Sequence, residues 1–253
     1  YLGEAVQPWP LKGWENAPVN TAGFRKPFSW YIESLYSDKP MVHIAVRDET
    51  VTRQVGKAGW DWPPVSSHWN WKESEESLKI YTYSNCETVE LLLNGKSLGE
   101  QSMQNYPEQL MEWEVPFEAG KIVAIGKNNG KEVSRHVLQT AGEPVKIKLS
   151  ADRKKLNAAN RDAVHLTAEL FDENDVLVQL EDKNITFSVS GPAKIIGVDN
   201  GDLWSLECYK ENQRETRNGK CLAILQATGN RGIISVKALA KGVKGDEVII
   251  ETQ

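Results

Sequence analysis

From Met41 onward the apolar residues of this chain fall at every second position, and Asn-Gly pairs interrupt them. Side chains of a β-strand point alternately to opposite faces, so this period commits the chain to half-buried strands. The stretch "TVELLLNGKSLGEQS" puts Val89, Leu91 and Leu93 on one face and then reaches Asn94-Gly95. A type I′ turn needs positive φ at both central residues, which makes Asn-Gly the strongest short hairpin signal. The stretch "KIVAIGKNNGKEVSRHVLQT" repeats the arrangement at Asn129-Gly130. Strands of this length and spacing predict an antiparallel β-sandwich over residues 41–142. After the linker-like "TAGEPVKI" the pattern restarts, with Val164, Leu166, Ala168 and Leu170 on one face of "DAVHLTAELFDENDVLV". "NITFSVSG", "AKIIGVDNG", "KCLAILQAT" and "GIISVKALA" complete a second sandwich over residues 143–253.

Residues 1–40 are different. They open as a Pro-, Gly- and Asn-rich loop and run into "RKPFSWYIESLY". There Pro27 suits a first helical turn, and Phe28, Tyr31, Ile32 and Leu35 recur at i, i+3, i+4 and i+7. Burying each such side chain contributes about 1.5–3 kcal/mol, so the stripe requires a partner. Neither sandwich is obviously built for it. The expectation is that the helix belonged to a domain preceding Tyr1, and that without that domain it pairs with a second copy of the chain or frays.

At 253 residues the chain has room for two cores. Its net charge of -5 is mild and its Lys and Arg are scattered, which argues against nucleic acid or an anionic membrane as a partner. No apolar run approaches the roughly 20 residues that span a bilayer. The chain starts at Tyr1 without a basic or apolar leader, which suggests a processed product or a piece of something longer. Cys86, Cys208 and Cys221 have no ligand-like spacing and read as small buried thiols.

The acidic residues, such as Glu73, Glu75, Glu76, Glu169, Asp172, Glu173 and Asp175, fall in turns or on exposed strand faces. His43, His68, His136 and His165 show neither metal-ligand nor Ser-His-Asp spacing. The "DNGD" at Asp199–Asp202 lacks the remaining ligands of a calcium loop and reads as a tight turn. No catalytic residue, metal site or cofactor is indicated.

One dense motif remains. "GWDWPPVSSHWNW" places Trp60, Trp62, Trp69 and Trp71, four of the nine tryptophans, within residues 59–71. If "HWNW" is extended, Trp69 and Trp71 share one face and His68 and Asn70 the other. Such rings could stack on a sugar or anchor an interface, since tryptophan serves both.

Read together, "YLGEAVQPWP", "NTAGFRKPFSWYIESLY", "MVHIAV", "HWNW" and "YTYSNCETVELLLNGKSLG" resemble the C-terminal half of family 2 glycoside hydrolases of the bacterial β-galactosidase type. "VKIKLSADRKKLNA" through "FSVSGPAKIIGVDNGD" to "NGKCLAI" resembles the bacterial immunoglobulin-like domain that often ends these enzymes. The match departs at Ala5-Val6, at "FRKPFS" and at "DENDVLVQL", all in turns. The resemblance implies an all-β chain of two tandem immunoglobulin-like sandwiches, preceded by a loop and one helix left over from a (β/α)8 barrel. It implies that the catalytic glutamates lie upstream of Tyr1, so that this stretch alone is inactive. The parent would be a retaining hydrolase acting on a β-linked glycan, periplasmic, secreted or on the cell surface. Phe28, Tyr31, Ile32 and Leu35 would then face the missing barrel, and Tyr1 and Glu4 would stand near the rim of its substrate cleft. The family places "HWNW" at the junction with the barrel, which favours an anchor for Trp69 and Trp71 and leaves Trp60 and Trp62 as an aromatic patch. The alternative is a free-standing carbohydrate-binding or adhesive module.

Overall fold

The computed structural model describes residues 9–13, 17–50, 63–72 and 77–253. These residues are mostly strand, with a single α-helix among them, and they divide into two compact units. The units separate between Thr140 and Ala141, two residues before the boundary expected from the sequence. Arg25 and the helix belong to the first unit, whereas residues 20–24 belong to the second.

The first unit carries strands β1 (Val42–Arg47), β2 (Val65–Ser66), β3 (Leu78–Ser84), β4 (Thr88–Leu93), β5 (Lys96–Ser102), β6 (Leu110–Val115), β7 (Lys121–Asn128) and β8 (Lys131–Gln139). They form two four-stranded antiparallel sheets, ordered β2-β1-β3-β6 and β5-β4-β7-β8. The alternation in β4 does what its period dictates: Val89, Leu91 and Leu93 are buried and meet Ile44, Ile80, Met111 and Trp69 in a shared core. Both Asn-Gly pairs are hairpin turns with positive φ at each central residue, at 50° and 82° for Asn94-Gly95 and 52° and 71° for Asn129-Gly130. Strand β1 does not alternate. Val42 through Val46 are all buried, because one face looks into the core and the other is covered by the helix.

That helix, α1 (Phe28–Tyr36), starts after Pro27. Its buried residues are the small Ser29 and Ser34. Trp30 and Tyr31 pack on Ala45, Tyr81 and Tyr83. The expected lone helix therefore has a partner within its own unit. Asn85 fixes the connection from α1 to β1: its carbonyl accepts the Met41 N–H at 2.8 Å, and its amide donates to the Ser37 and Lys39 carbonyls at 2.7 and 2.9 Å.

The second unit carries β9 (Lys146–Ala151), β10 (Lys155–Leu156), β11 (Ala163–Phe171), β12 (Asn184–Ser190), β13 (Ala193–Asp199), β14 (Gln213–Glu215), β15 (Lys220–Ala227), β16 (Gly232–Ala240) and β17 (Val243–Thr252). The strand path is β13-β15-β11-β9-β17-β16-β12-β14, with β10 beside β17. Strands β9 and β17 join through one parallel pair, Lys146 with Lys244. Residues from both ends of the path enclose one core, which includes Leu166, Leu170, Phe187, Leu225 and Val236. Val164, Leu166, Ala168 and Leu170 all point into it.

Candidate functional site

The described tryptophans of the dense motif do not form a flat platform. Trp69 is fully buried, its indole donates to the Glu118 carbonyl at 2.9 Å, and its ring meets Phe117 edge-on at 5.3 Å. Residues 67–72 are not a strand, so the expected two-faced alternation does not hold. The Asn70 N–H donates back to His68 Nδ1 at 3.3 Å, and the chain bends enough for His68 to stack on Trp71 at 4.7 Å. Trp71 packs against the same core as Trp69, and its buried Nε1 has no partner among the described residues.

Beside them His68 Nε2 stands 3.8 Å from Asp48 Oδ2. Burial lowers the His68 pKa, with Asp48 working the other way. Asp48 is itself buried, which opposes its ionisation, but hydrogen bonds from Ser66 and Thr50 outweigh burial and hold its carboxyl below the usual range. Thr50 contributes its backbone N–H at 2.9 Å and its hydroxyl at 2.6 Å. This pair closes the ends of β1 and β2 and is satisfied internally. It is built as structure.

Helix α1 has two faces. At about 100° per residue, Trp30 and the buried Ser34 lie on one side and Phe28, Ile32 and Leu35 on the other, with Ser29 at the flank between them. Leu35 is 41% exposed, whereas Phe28 and Ile32 are half-buried. Tyr31 sits between the faces, 5.5 Å from the Tyr83 ring. Below it opens a cleft of about 560 Å³ lined by Tyr31, Pro63, Tyr106, Glu108, Leu110 and Glu112. Glu112 is engaged there by Lys79 at 3.0 Å. Tyr31 has its pKa raised by burial and by Glu108.

In the second unit the "DNGD" stretch is a turn, as its sequence suggests. Asp199 Oδ1 accepts from the Asn200 and Gly201 amides at 2.7 and 3.0 Å, and Asn200 Oδ1 accepts from Asp202 at 3.0 Å. The same Asn200 oxygen accepts from Arg214 at 2.8 Å. Arg214 is fully buried and organises residues 200–212: Asp199 is 3.7 Å away, and Tyr209 stacks on the guanidinium at 5.1 Å. Its Nε lies 3.3 Å from Glu207 Oε2 but off the N–H direction, so this contact is ionic and not a hydrogen bond. One sequence feature alone points to this arginine: Arg214 and Thr216 alternate with exposed Gln213 and Glu215.

Tyr1, Glu4, Trp60 and Trp62 lie outside the described residues. Among the described residues no group of three or more His, Cys, Asp and Glu is placed to hold a metal ion. Nor is any helix among them long and apolar enough to cross a membrane.

Residues 147–249 match the model of the glycoside hydrolase family 2 C-terminal domain 5, and residues 75–134 match the domain of unknown function DUF4982. The chain is 31% identical over 245 residues to the β-galactosidase BoGH2A of Bacteroides ovatus, covering 96% of this chain and 26% of that protein. This is the C-terminal region of a family 2 glycoside hydrolase. Among solved structures, a family 2 member from Bacteroides cellulosilyticus superposes with a TM-score of 0.89 at 35% identity, over 96% of this chain and 32% of that one. A β-glycosidase from Bacteroides vulgatus superposes at 0.85 with 27% identity, over 99% and 29%. The chain thus spans about a quarter to a third of the length of these family 2 relatives. The C-terminal domain match falls in the second unit, and the match of unknown function in the first.

Proposed function

We propose that these residues are a non-catalytic accessory region of a β-galactosidase-like hydrolase, built as two immunoglobulin-like sandwiches that brace the catalytic barrel and shape its substrate cleft. The two-faced helix carries this reading. Trp30 and Tyr31 pack α1 on the first sandwich, while Phe28, Ile32 and Leu35 turn an apolar stripe away from it. A barrel that ends in this helix would cover that stripe, and Tyr1 and Glu4 would come near its rim. Trp60 and Trp62 would add aromatic surface there, with Trp69 and Trp71 as the rigid base. In such an enzyme two glutamates about 5–5.5 Å apart perform a double displacement on a β-linked glycan. The two carboxylates that share a cleft here, Glu108 and Glu112, make a poor pair for this, since Lys79 engages Glu112 at an open surface.

The isolated chain, assayed at high concentration with a chromogenic β-galactoside, should show no turnover. Turnover that tracks the protein and is lost on mutating a single Glu within residues 1–253 overturns the reading. Leu35→Glu should leave the isolated chain within about 0.5 kcal/mol of its stability. The same change should weaken capture of a catalytic barrel supplied separately, or, without a barrel, weaken any dimer seen by sedimentation. The second reading, a free-standing glycan-binding module, is favoured by the cleft of two tyrosines and two glutamates. Calorimetric titration with a galacto-oligosaccharide, abolished by Tyr106→Ala, would support it instead.

A further inference from the structure

Strand β2 reaches only Val46 and Arg47 of its neighbour, which leaves the edge of β1 uncovered at Val42 and Ile44. Neither amide goes unpaired. The Val42 N–H donates to Ser134 Oγ and the Ile44 N–H to His136 Nδ1, each at 3.1 Å. Two side chains of β8 thus stand in for a neighbouring strand and join the two sheets of the first unit along one seam. The Ile44 bond sets a chemical condition: Nδ1 accepts only while it carries no proton.

The ring of His136 lies against His43, with centroids 3.9 Å apart, and Trp30 of α1 stacks on His43 at 4.7 Å and 14°. His43 is buried, and its Nε2 has no hydrogen-bond partner among the described residues. Among the described residues, the groups that face the pair offer it no countercharge of its own. Strand β3 presents Tyr83, 6.5 Å from the His43 ring. Ahead of α1, Arg25 lies 3.5 Å over Trp30, and α1 itself adds Glu33, which Arg25 engages at 2.6 Å. Neither imidazole is stabilised by a carboxylate.

We propose that His43 and His136 form an acid-operated latch: a proton from solvent on His136 Nδ1 replaces the acceptor of the Ile44 N–H with a second donor, opens the β1–β8 seam and releases α1 with it. Burial holds His136 down to about 4. Burial, then His136 and Arg25, keep His43 well below the ordinary imidazole range. A histidine whose pKa is lower in the closed state favours closure fully above about 6.5 and loses that contribution as pH falls toward 4. Within that window, opening gains about tenfold per pH unit for each histidine it exposes.

Hydrogen exchange of the Ile44 amide in the intact chain, corrected for the intrinsic rate, reads the opening from about pH 7.5 to 4.5. Its protection should be level above about pH 6.5, then fall at least about tenfold per unit, with residues 28–36 following and Leu166 in the second unit not. His136→Gln, whose amide oxygen accepts without titrating, should lessen the slope by about tenfold per unit, leaving only the share of His43. An equal slope in the variant, no fall at all, or a parallel loss at Leu166 would each overturn the latch. Should the variant fail to fold, proton resonances of the wild-type rings decide. Titration of His136 at or above about pH 6 in the folded chain refutes the proposal, and none down to about pH 5 upholds it.

Discussion

Thr140 closes over Trp69: its hydroxyl donates to the Trp69 carbonyl at 2.8 Å and accepts the Gly120 N–H at 3.0 Å. The last residue of the first unit thereby pins the tryptophan whose indole already holds Glu118. Trp69→Ala removes a fully buried ring and should cost about 3–5 kcal/mol in urea unfolding followed within the first unit. Thr140→Val keeps the shape but leaves the Gly120 amide and the Trp69 carbonyl wanting, and should cost about 1–3 kcal/mol.

Two glycines in equivalent turns separate conformational strain from steric conflict. Gly130 and Gly219 both follow asparagine with φ near +70°, at 71° and 74°. A Cβ on Gly130 would meet nothing within 4 Å, whereas one on Gly219 would stand 2.1 Å from the Val178 carbonyl oxygen. Gly130→Ala should cost about 1–2 kcal/mol, the ordinary penalty for the left-handed region. Gly219→Ala should cost clearly more, because backbone must move. Thermal melts of both variants check the order.

Replacing Arg214 by Leu should destabilise the second unit by on the order of 3 kcal/mol. Asn200 loses its donor, and Asp199 and Glu207 lose the cation they share, although both are partly solvated. The companion readout is limited trypsinolysis, which should cut faster at the exposed Lys210 in the variant than in the wild type.

Asp48 predicts a pH dependence opposite in origin to that of the histidines. Its folded pKa is depressed, so its contribution is complete above the unfolded value of about 3.9 and fades as pH falls through the lower, folded value. The stability advantage of the wild type over Asp48→Asn, measured by denaturant titration, should therefore be constant near neutrality and shrink in strong acid.

The legible parts of the fold were those governed by local rules. The two-residue period exposed the core faces of β4 and β11, and Asn-Gly chemistry located two hairpins, because both depend on near neighbours alone. Strand β1 hid its role, since a strand covered on both faces reads as a plain apolar run, and His43 and His136 are brought together across 93 residues of sequence. The helix was legible, but its orientation was not. Its period marks the stripe of Phe28, Ile32 and Leu35, but nothing local says that Trp30 and Tyr31 pack on a sheet of the same unit. The stack of His68 on Trp71 is not legible in "HWNW", because it depends on the backbone path and not on the period.

Arg214 concentrates the order of an irregular loop in one side chain. Outward positions such as Leu206, which is 68% exposed, and Cys208 take no part in that anchoring. A surface held from beneath in this way can exchange its outward residues from one descendant to the next while its path stays fixed. Its chemistry is free to diverge as long as a single codon is kept.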